Sequence, residues 1–238
     1  MLVAAVGTGV VLLGVGAVLY YACAVPTSQL FGPALVRGPR EGRRVALTFD
    51  DGPASPFTEQ ILDILRDRNV PATFFVCGKN VERVPELIRR IHAEGHTLGN
   101  HTYSHPFLYF LSRVRIAEEI DRTQEAIEKA TGYLPKLFRP PYGVRWFGLL
   151  PVLRERQMRL VQWSDTGYDW KHGTEATVRA TVKDLGPGAV ILLHDGHEAR
   201  LPGEVEQSST VKALPTIIDR VREAAFEFVP VSEFLPSV

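Results

Sequence analysis

Short apolar runs alternate with amphipathic segments along most of the chain, from about residue 43 onward. The apolar runs have the length and composition of buried β-strands and cover residues 45–49, 72–76, 97–101, 136–139, 159–163, 189–194 and 226–231. Between them, apolar residues recur at helical spacing over residues 58–69, 84–94, 113–131, 145–157, 177–185 and 211–225. This alternation predicts a parallel sheet or an α/β barrel.

The beginning of the chain has a different pattern. Residues 2–25 are mostly apolar, and no charged residue precedes Arg37. A helix over this run would rise about 36 Å, enough to cross a hydrocarbon core of about 30 Å. We therefore predict an N-terminal transmembrane anchor or signal segment over residues 1–25, a Pro- and Gly-rich surface linker over 26–42 and a catalytic domain over 43–238.

Two alternatives remain for the apolar run. Ala22-Cys23-Ala24 has the small-x-small pattern of a signal-peptide cleavage site, although no Lys or Arg precedes the run. A buried helix of a soluble domain is least favoured, because it would have to be apolar on every face.

Composition narrows the function classes. The 27 Lys and Arg residues balance the 27 Asp and Glu residues, which disfavours a nucleic-acid-binding protein because such proteins carry a basic surplus. Two cysteines, Cys23 and Cys77, cannot build a disulfide framework or a Cys-rich zinc module. Any metal site in this chain must therefore use histidine and carboxylate ligands.

Polar, chemically reactive residues follow the predicted strands at five places. These clusters are Asp50-Asp51, His101–His105, Arg139–Tyr142, Asp165–Trp170 and His194-Asp195. In an α/β barrel the catalytic residues lie at the carboxyl ends of the strands. The five clusters therefore predict one shared site.

The residue types in these clusters fit a hydrolytic metal centre. His101 and His105 are four residues apart and can bind one metal ion, and the acidic pair can supply a third ligand and a neighbouring base. Arg139 lies on a stiff Pro-Pro segment that can hold a guanidinium against a carboxylate. Each feature alone also has a structural interpretation: a turn for the Asp-Asp-Gly-Pro sequence, or a buried, hydrogen-bonded histidine for His194.

In their order and spacing, the clusters resemble the five motifs of the polysaccharide deacetylases of carbohydrate esterase family 4, the NodB homology domain. The matching segments are Thr48–Pro53, His101–His105, Arg139–Gly143, Asp169-Trp170 and Leu192–His194. The resemblance implies a deformed (β/α) barrel with fewer than eight complete units. It also implies a metal-dependent hydrolase that removes N-acetyl groups from amino sugars.

The resemblance assigns a metal site and a base to matched positions. Asp51, His101 and His105 would hold a divalent metal ion, usually Zn²⁺, with Co²⁺ or Ni²⁺ as alternatives. Asp50 would be the general base for the attacking water, and Arg139 would tether it.

The same resemblance assigns the remaining roles. The backbone N–H of Tyr142 would form an oxyanion hole together with the metal. His194 would protonate the leaving amine, with its pKa tuned by Asp169. Trp170 and Leu192 would line the slot for the acetyl methyl group.

One motif departs from the family pattern. The fourth motif is often D-x-x-D-W, whereas the acids here, Asp165 and Asp169, are four residues apart. We therefore assign no catalytic role to Asp165. His197 is close to His194 in sequence, but we interpret it as a surface residue.

The resemblance predicts an N-acetylated cell-envelope glycan as substrate, such as peptidoglycan or a chitin-like oligosaccharide. A deacylase or deformylase of a lipid-linked sugar is the alternative, because the apolar segment Phe107–Leu111 follows the histidine motif. A catalytically silent glycan-binding protein is least favoured, because the motif residues are intact. No pattern in the sequence predicts a protein partner.

A glycan substrate indicates a catalytic domain outside the cytoplasm, anchored by the N-terminal segment or secreted if that segment is cleaved. The positive-inside rule points the other way, because arginines follow the apolar run and none precedes it. We favour the extracytoplasmic location.

Overall fold

The computed structural model of the protein describes residues 2–196 and 208–235. Its described strands form one sheet of eight parallel strands: β1 (Arg44–Asp50), β2 (Thr73–Val76), β3 (Thr97–Asn100), β4 (Leu137–Phe138), β5 (Arg159–Leu160), β6 (Asp165–Thr166), β7 (Val190–His194) and β8 (Glu227–Phe228). The order is β5-β4-β3-β2-β1-β7-β6, and β8 pairs with the beginning of β1. This deformed (β/α) half-barrel confirms the predicted parallel α/β class.

Helices lie between the strands, as the periodicity predicts. They are α1 (Leu2–Ala24), α2 (Phe57–Asp67), α3 (Gly78–Arg83), α4 (Pro85–Ala93), α5 (Arg113–Thr131), α6 (Leu149–Glu155), α7 (Thr174–Val182) and α8 (Ser208–Glu223). The short helix α3 was not predicted. The helix predicted over 145–157 begins only at Leu149, because Gly148 precedes it in a left-handed conformation (φ +89°) that a helix interior cannot contain.

The central strands are buried on both faces, so that the sheet is a rigid platform. Phe49 of β1 and Phe74 of β2 face the largest hydrophobic cluster and stack with ring centroids 5.0 Å apart. Ala46 and Phe75, on alternate positions, face a smaller cluster on the other side. This double burial explains why the strands read as continuous apolar runs.

Strand register brings the polar clusters to one edge of the sheet. Asp50, the last residue of β1, pairs with His194 of β7 on one side and with Phe75 of β2 on the other. Asn100, at the end of β3, pairs with Phe138 of β4. The residues that follow these strand ends therefore meet, as the five clusters predict.

The N-terminal segment forms helix α1, but its predicted membrane span is not supported. Across residues 2–196 and 208–235, no helix has both the length and the apolar composition that a bilayer-crossing segment requires. The end of α1 instead packs against the domain: Ala22 and Cys23 are buried, and the carbonyl oxygen of Cys23 accepts a hydrogen bond from the backbone N–H of Arg145 at 2.9 Å.

The segment predicted as a surface linker makes sheet-like contacts with the domain. Leu35 forms a parallel bridge with Val161, and its carbonyl oxygen accepts a hydrogen bond from the backbone N–H of Gln162 at 2.7 Å. The backbone N–H of Gly38 donates to the carbonyl oxygen of Gly188 at 2.8 Å. We call residues 35–38 the strap. The Pro- and Gly-rich composition of residues 26–42 carries no periodic signal from which this pairing could be predicted.

Candidate active site

A carboxylate and two imidazoles converge at the edge of the sheet. Asp51 Oδ1 lies 3.2 Å from Nε2 of His101 and 3.0 Å from Nε2 of His105. One ligand atom from each residue falls within 4.8 Å of the others. We call Asp51, His101 and His105 the ligand triad.

Local backbone geometry aims these side chains at one another. The chain leaves strand β1 at Asp50, and Asp51 adopts a left-handed conformation (φ 74°), as does His105 (φ 54°). Each such non-glycine residue costs about 1–3 kcal/mol, and residues of this kind cluster at functional sites. The side-chain amide of Asn80 donates to the carbonyl oxygen of Asp51 at 2.7 Å and holds this turn.

The triad fits a divalent metal ion. Asp51 Oδ1 is buried and makes no hydrogen bond within the described residues, although two imidazole nitrogens lie near it. His101 Nδ1 is 2.7 Å from the carbonyl oxygen of Arg139, and this contact fixes the tautomer in which Nε2 presents its lone pair to the centre of the triad. Burial acts to raise the pKa of Asp51, but the charge of His105, the close contacts with His101 and His105 and the charge of His194 together outweigh it and lower the pKa well below its usual range.

A second carboxylate lies beside the triad and is held by a buried arginine. Arg139 Nη1 donates to Asp50 Oδ1 at 2.7 Å and to Thr48 Oγ1 at 2.8 Å. Both Asp50 and Arg139 are almost completely buried, and the guanidinium also packs over the ring of Phe75. A buried charge-assisted contact of this kind fixes the orientation of the Asp50 carboxylate.

An imidazole–carboxylate pair lies on the other side of Asp50. Asp169 Oδ1 is 2.9 Å from His194 Nδ1, and Asp169 Oδ2 accepts hydrogen bonds from the His194 backbone N–H and the Thr210 hydroxyl, both at 2.7 Å. Burial disfavours the charged imidazolium, but the charge and hydrogen bond of Asp169, together with the charges of Asp51 and Asp50, outweigh this effect and raise the pKa of His194 to about 9. His194 is therefore protonated at neutral pH.

Three further residues were predicted to contact substrate. Tyr142 is about half exposed, stacks on Phe107 with centroids 3.9 Å apart and meets the ring of His105 edge-on at 4.6 Å. Trp170 meets the His194 ring edge-on at 5.0 Å. Leu192 is buried in strand β7, two residues before His194 and therefore on the same face.

Two acidic residues have environments that the sequence did not reveal. Asp165 Oδ2 accepts a hydrogen bond from Arg37 of the strap at 3.0 Å, so this carboxylate supports the strap. Asp195 is fully buried and accepts a hydrogen bond from the Thr58 hydroxyl at 2.7 Å, and burial raises its pKa to about 7. A Cβ atom on Gly52 would lie 2.0 Å from Asp195 Oδ2, so that only glycine fits at position 52. The adjacency of Asp195 to His194 was a signal available in the sequence. His197 lies outside the described residues.

Fold and site together define a candidate metal-binding site on a parallel half-barrel. Comparison with known proteins identifies the family. The model of the polysaccharide deacetylase family matches residues 37–161. The chain is 42% identical to a peptidoglycan-N-acetylglucosamine deacetylase of Bacillus cereus over 195 residues, which cover 81% of this chain and 68% of the relative. It is 38% identical to a chitooligosaccharide deacetylase of Bradyrhizobium over 200 residues, covering 80% of this chain and 90% of the relative.

A solved structure agrees with these sequence matches. The crystal structure of a peptidoglycan N-acetylglucosamine deacetylase in complex with 4-naphthalen-1-yl-N-oxidanyl-benzamide superposes with a TM-score of 0.79 and 37% identity, and covers 86% of this chain and 94% of that one. The chain therefore belongs to the polysaccharide deacetylase family, and the relatives described above are named deacetylases of peptidoglycan and of chitooligosaccharides.

Proposed function

We propose that the protein removes N-acetyl groups from amino-sugar residues of a cell-envelope glycan, either peptidoglycan or a chitin-like oligosaccharide. The observation that carries the proposal is the convergence of the ligand triad, the Asp50–Arg139 pair and the His194–Asp169 pair at one edge of the sheet. Amide hydrolysis needs an activated water, a stabilised oxyanion and a proton for the nitrogen. The three groups match these needs.

Zn²⁺ is the metal ion that we propose for the triad, with Co²⁺ and Ni²⁺ as alternatives. Two imidazole nitrogens and one carboxylate oxygen form a donor set typical of catalytic zinc. When bound, the ion would supply a Lewis acid that increases the acidity of water and polarises the amide carbonyl group.

The protein's own residues divide the proton transfers between two side chains. Asp50 would accept a proton from the attacking water, with Arg139 holding the carboxylate in position. His194 would donate a proton to the leaving nitrogen, because the carboxylate of Asp169 keeps the imidazole protonated at neutral pH. Asp50 and His194 are paired residues on adjacent strands, so that base and acid lie at the same level of the sheet.

The substrate amide would lie between these groups. We propose that the backbone N–H of Tyr142 contacts the developing oxyanion, and that Trp170 and Leu192 border the acetyl methyl group. The exposure of Tyr142 and the edge-on contact of Trp170 with His194 support this arrangement.

Acetate release from defined glycans tests the proposed function. The full-length chain is stripped with chelator, reloaded with Zn²⁺, Co²⁺ or Ni²⁺, and assayed on N-acetylglucosamine oligomers and on peptidoglycan. We expect acetate only from metal-loaded protein, and the preferred polymer identifies the substrate. Metal binding without acetate from either polymer contradicts the proposed substrate class, and a failure to bind metal contradicts the assignment of the triad.

A second candidate substrate is supported by the apolar entrance of the site. Phe107 and Tyr142 stack against each other next to His105, and both side chains are more than half exposed. An apolar entrance of this kind suits a lipid-linked acylated or formylated sugar. Release of formate or acetate from such a lipid, in the absence of activity on both polymers, favours this candidate.

We also propose that the catalytic domain works outside the cytoplasm, where the envelope glycan lies. The uncharged run over residues 2–25 supports export of the chain. A C-terminal alkaline phosphatase fusion tests the location, since this reporter is active only outside the cytoplasm. Sequencing the N-terminus of the mature protein distinguishes cleavage after Ala24 from retention of the segment.

A further inference from the structure

Gln162 contacts both halves of the catalytic site, although no motif contains it. Its carbonyl oxygen accepts a hydrogen bond from Arg139 Nη2 at 2.9 Å, and its side-chain Nε2 donates to the carbonyl oxygen of Gly143 at 2.8 Å. Its backbone N–H donates to Leu35 of the strap. The residue is completely buried.

The contact with Gly143 supports an unusual turn. Tyr142 and Gly143 are consecutive residues with left-handed backbone conformations, φ 57° and 67°. Left-handed conformations are costly for a tyrosine, so that the turn needs support from its surroundings. The Gln162 amide binds the carbonyl oxygen that ends this turn, and the Trp163 ring lies where a Cβ atom on Gly143 would stand, 2.6 Å away.

The other end of Gln162 reaches the Asp50–Arg139 pair. Arg139 uses Nη1 for Asp50 Oδ1 and Nη2 for the Gln162 carbonyl oxygen. The same residue therefore fixes the guanidinium that orients Asp50 and the turn that presents Tyr142. Loss of the side chain removes only the contact with the turn, because the carbonyl oxygen is part of the backbone.

The glutamine is poorly suited to a purely structural role. Its Oε1 atom is buried and has no hydrogen-bond partner within the described residues. Burying an unsatisfied acceptor is unfavourable, and an apolar side chain of similar size would avoid this cost. The side-chain amide of Gln162 therefore acts mainly through the hydrogen bond that its Nε2 donates to the carbonyl oxygen of Gly143.

From these contacts we infer that Gln162 is a positioning residue for the deacetylation, which holds the Tyr142–Gly143 turn in register with Asp50. The inference rests on the proposed function. It predicts that removal of the amide N–H lowers kcat and leaves substrate binding and metal binding intact, because the displaced group acts in the transition state.

Two variants of similar size test the inference in the full-length, zinc-loaded protein. Gln162→Leu removes the donor, and Gln162→Glu places a carboxylate against the Gly143 carbonyl oxygen. We expect kcat for acetate release to fall about tenfold or more in both variants, since displacement of a catalytic group by about 1 Å has effects of this order. KM and the zinc content should stay within about twofold of the unchanged protein.

Gln124→Leu is the matched control. Gln124 is also a buried glutamine whose Nε2 donates to a backbone carbonyl oxygen, that of Pro135 at 2.9 Å. It lies on α5, where its Oε1 accepts a hydrogen bond from Asn100 at 3.3 Å rather than contacting the turn. We expect this variant to lose thermal stability and keep kcat. The inference is overturned if kcat of the Gln162 variants stays within twofold of the parent, if KM alone rises, or if Gln124→Leu lowers kcat equally.

Amide hydrogen exchange separates this inference from the proposed function. In Gln162→Leu we expect faster exchange in the peptide that covers residues 140–145 and unchanged exchange in strands β1 and β2. Unchanged exchange at 140–145 overturns the inference even if the parent protein deacetylates glycans. Faster exchange at 140–145 in Gln162→Leu, combined with no acetate release by the parent protein, would support the role of Gln162 in holding the turn. It would at the same time contradict the proposed reaction.

Discussion

Replacing Asp169 by Asn should shift the pH range in which the protein is active. Burial lowers the pKa of His194, but the charge and hydrogen bond of Asp169, with further contributions from the charges of Asp51 and Asp50, raise it from 6.5 to about 9. This rise corresponds to about 3 kcal/mol in favour of the imidazolium, since one pKa unit is about 1.4 kcal/mol. Asparagine keeps the size of the side chain and removes its charge. The pKa of His194 should then fall to its usual value or below, because burial still disfavours the charged ring.

The sign of the effect follows from the acid role proposed for His194. Activity requires the protonated imidazole, so it is present at low pH and lost as pH rises through the pKa of His194 in the folded protein. At pH 8 about nine-tenths of the parent protein and about 3% of Asp169→Asn would carry the proton, whereas at pH 6 most of both would carry it. The ratio of variant to parent kcat/KM should therefore fall about twentyfold between pH 6 and pH 8.

Acetate release measured from pH 5.5 to 10 with the same bound metal checks this prediction. Thr210→Val is the control, because it removes one hydrogen bond to Asp169 and keeps the charge, and its alkaline limb should stay close to that of the parent. A ratio that is constant between pH 6 and pH 8 would refute the assignment of His194 as the acid tuned by Asp169.

Three further changes test other parts of the site and fold. Asp50→Asn keeps the contact with Arg139 but cannot act as a base, so kcat should fall about 10²- to 10⁴-fold. The zinc content, measured by atomic emission, should stay the same. Full turnover in this variant would exclude Asp50 as the base. His101→Ala removes one of the three ligands, and competition with a zinc-binding dye should show weaker metal binding; unchanged affinity would contradict the triad. Arg145 donates hydrogen bonds to the carbonyl oxygens of Val25 and Ser28, which follow α1. Arg145→Ala should therefore lower the free energy of unfolding, measured by urea titration, by about 2 kcal/mol. An unchanged urea midpoint would show that these bonds do not hold α1 to the domain.

The sequence predicted the elements of the sheet well because their signals are local. The buried runs of β1, β2 and β7 are continuous apolar stretches, and their positions agree with the structure. Strands β4, β5 and β8 are only two residues long. The sequence analysis predicted longer strands there, because the apolar composition continues beyond the residues that form backbone pairs. The candidate site residues could be named from the sequence for the same reason, since each reactive cluster directly follows a local signal.

The strap and its supports could not be predicted in this way. Leu35 pairs with Val161, and Arg37 binds Asp165, which lies 128 residues further along the chain. Pairing at this distance depends on which strand edges remain uncovered once the sheet has formed, and no local pattern records that. The domain boundary predicted at residue 43 therefore separates the catalytic domain from the strap, although the two exchange backbone hydrogen bonds.

The acids of the site show why residue type and spacing alone do not assign chemistry. Asp50 and Asp195 both lie at the ends of paired strands, and both are buried. Asp50 lies against the Arg139 guanidinium, whereas the hydrogen-bond donor to the Asp195 carboxyl is the neutral hydroxyl of Thr58, and burial raises the pKa of Asp195 to about 7. A large fraction of Asp195 therefore carries a proton near neutral pH. We therefore propose the base role for Asp50 because of the partner that the fold supplies, and that partner, Arg139, lies 89 residues further along the chain.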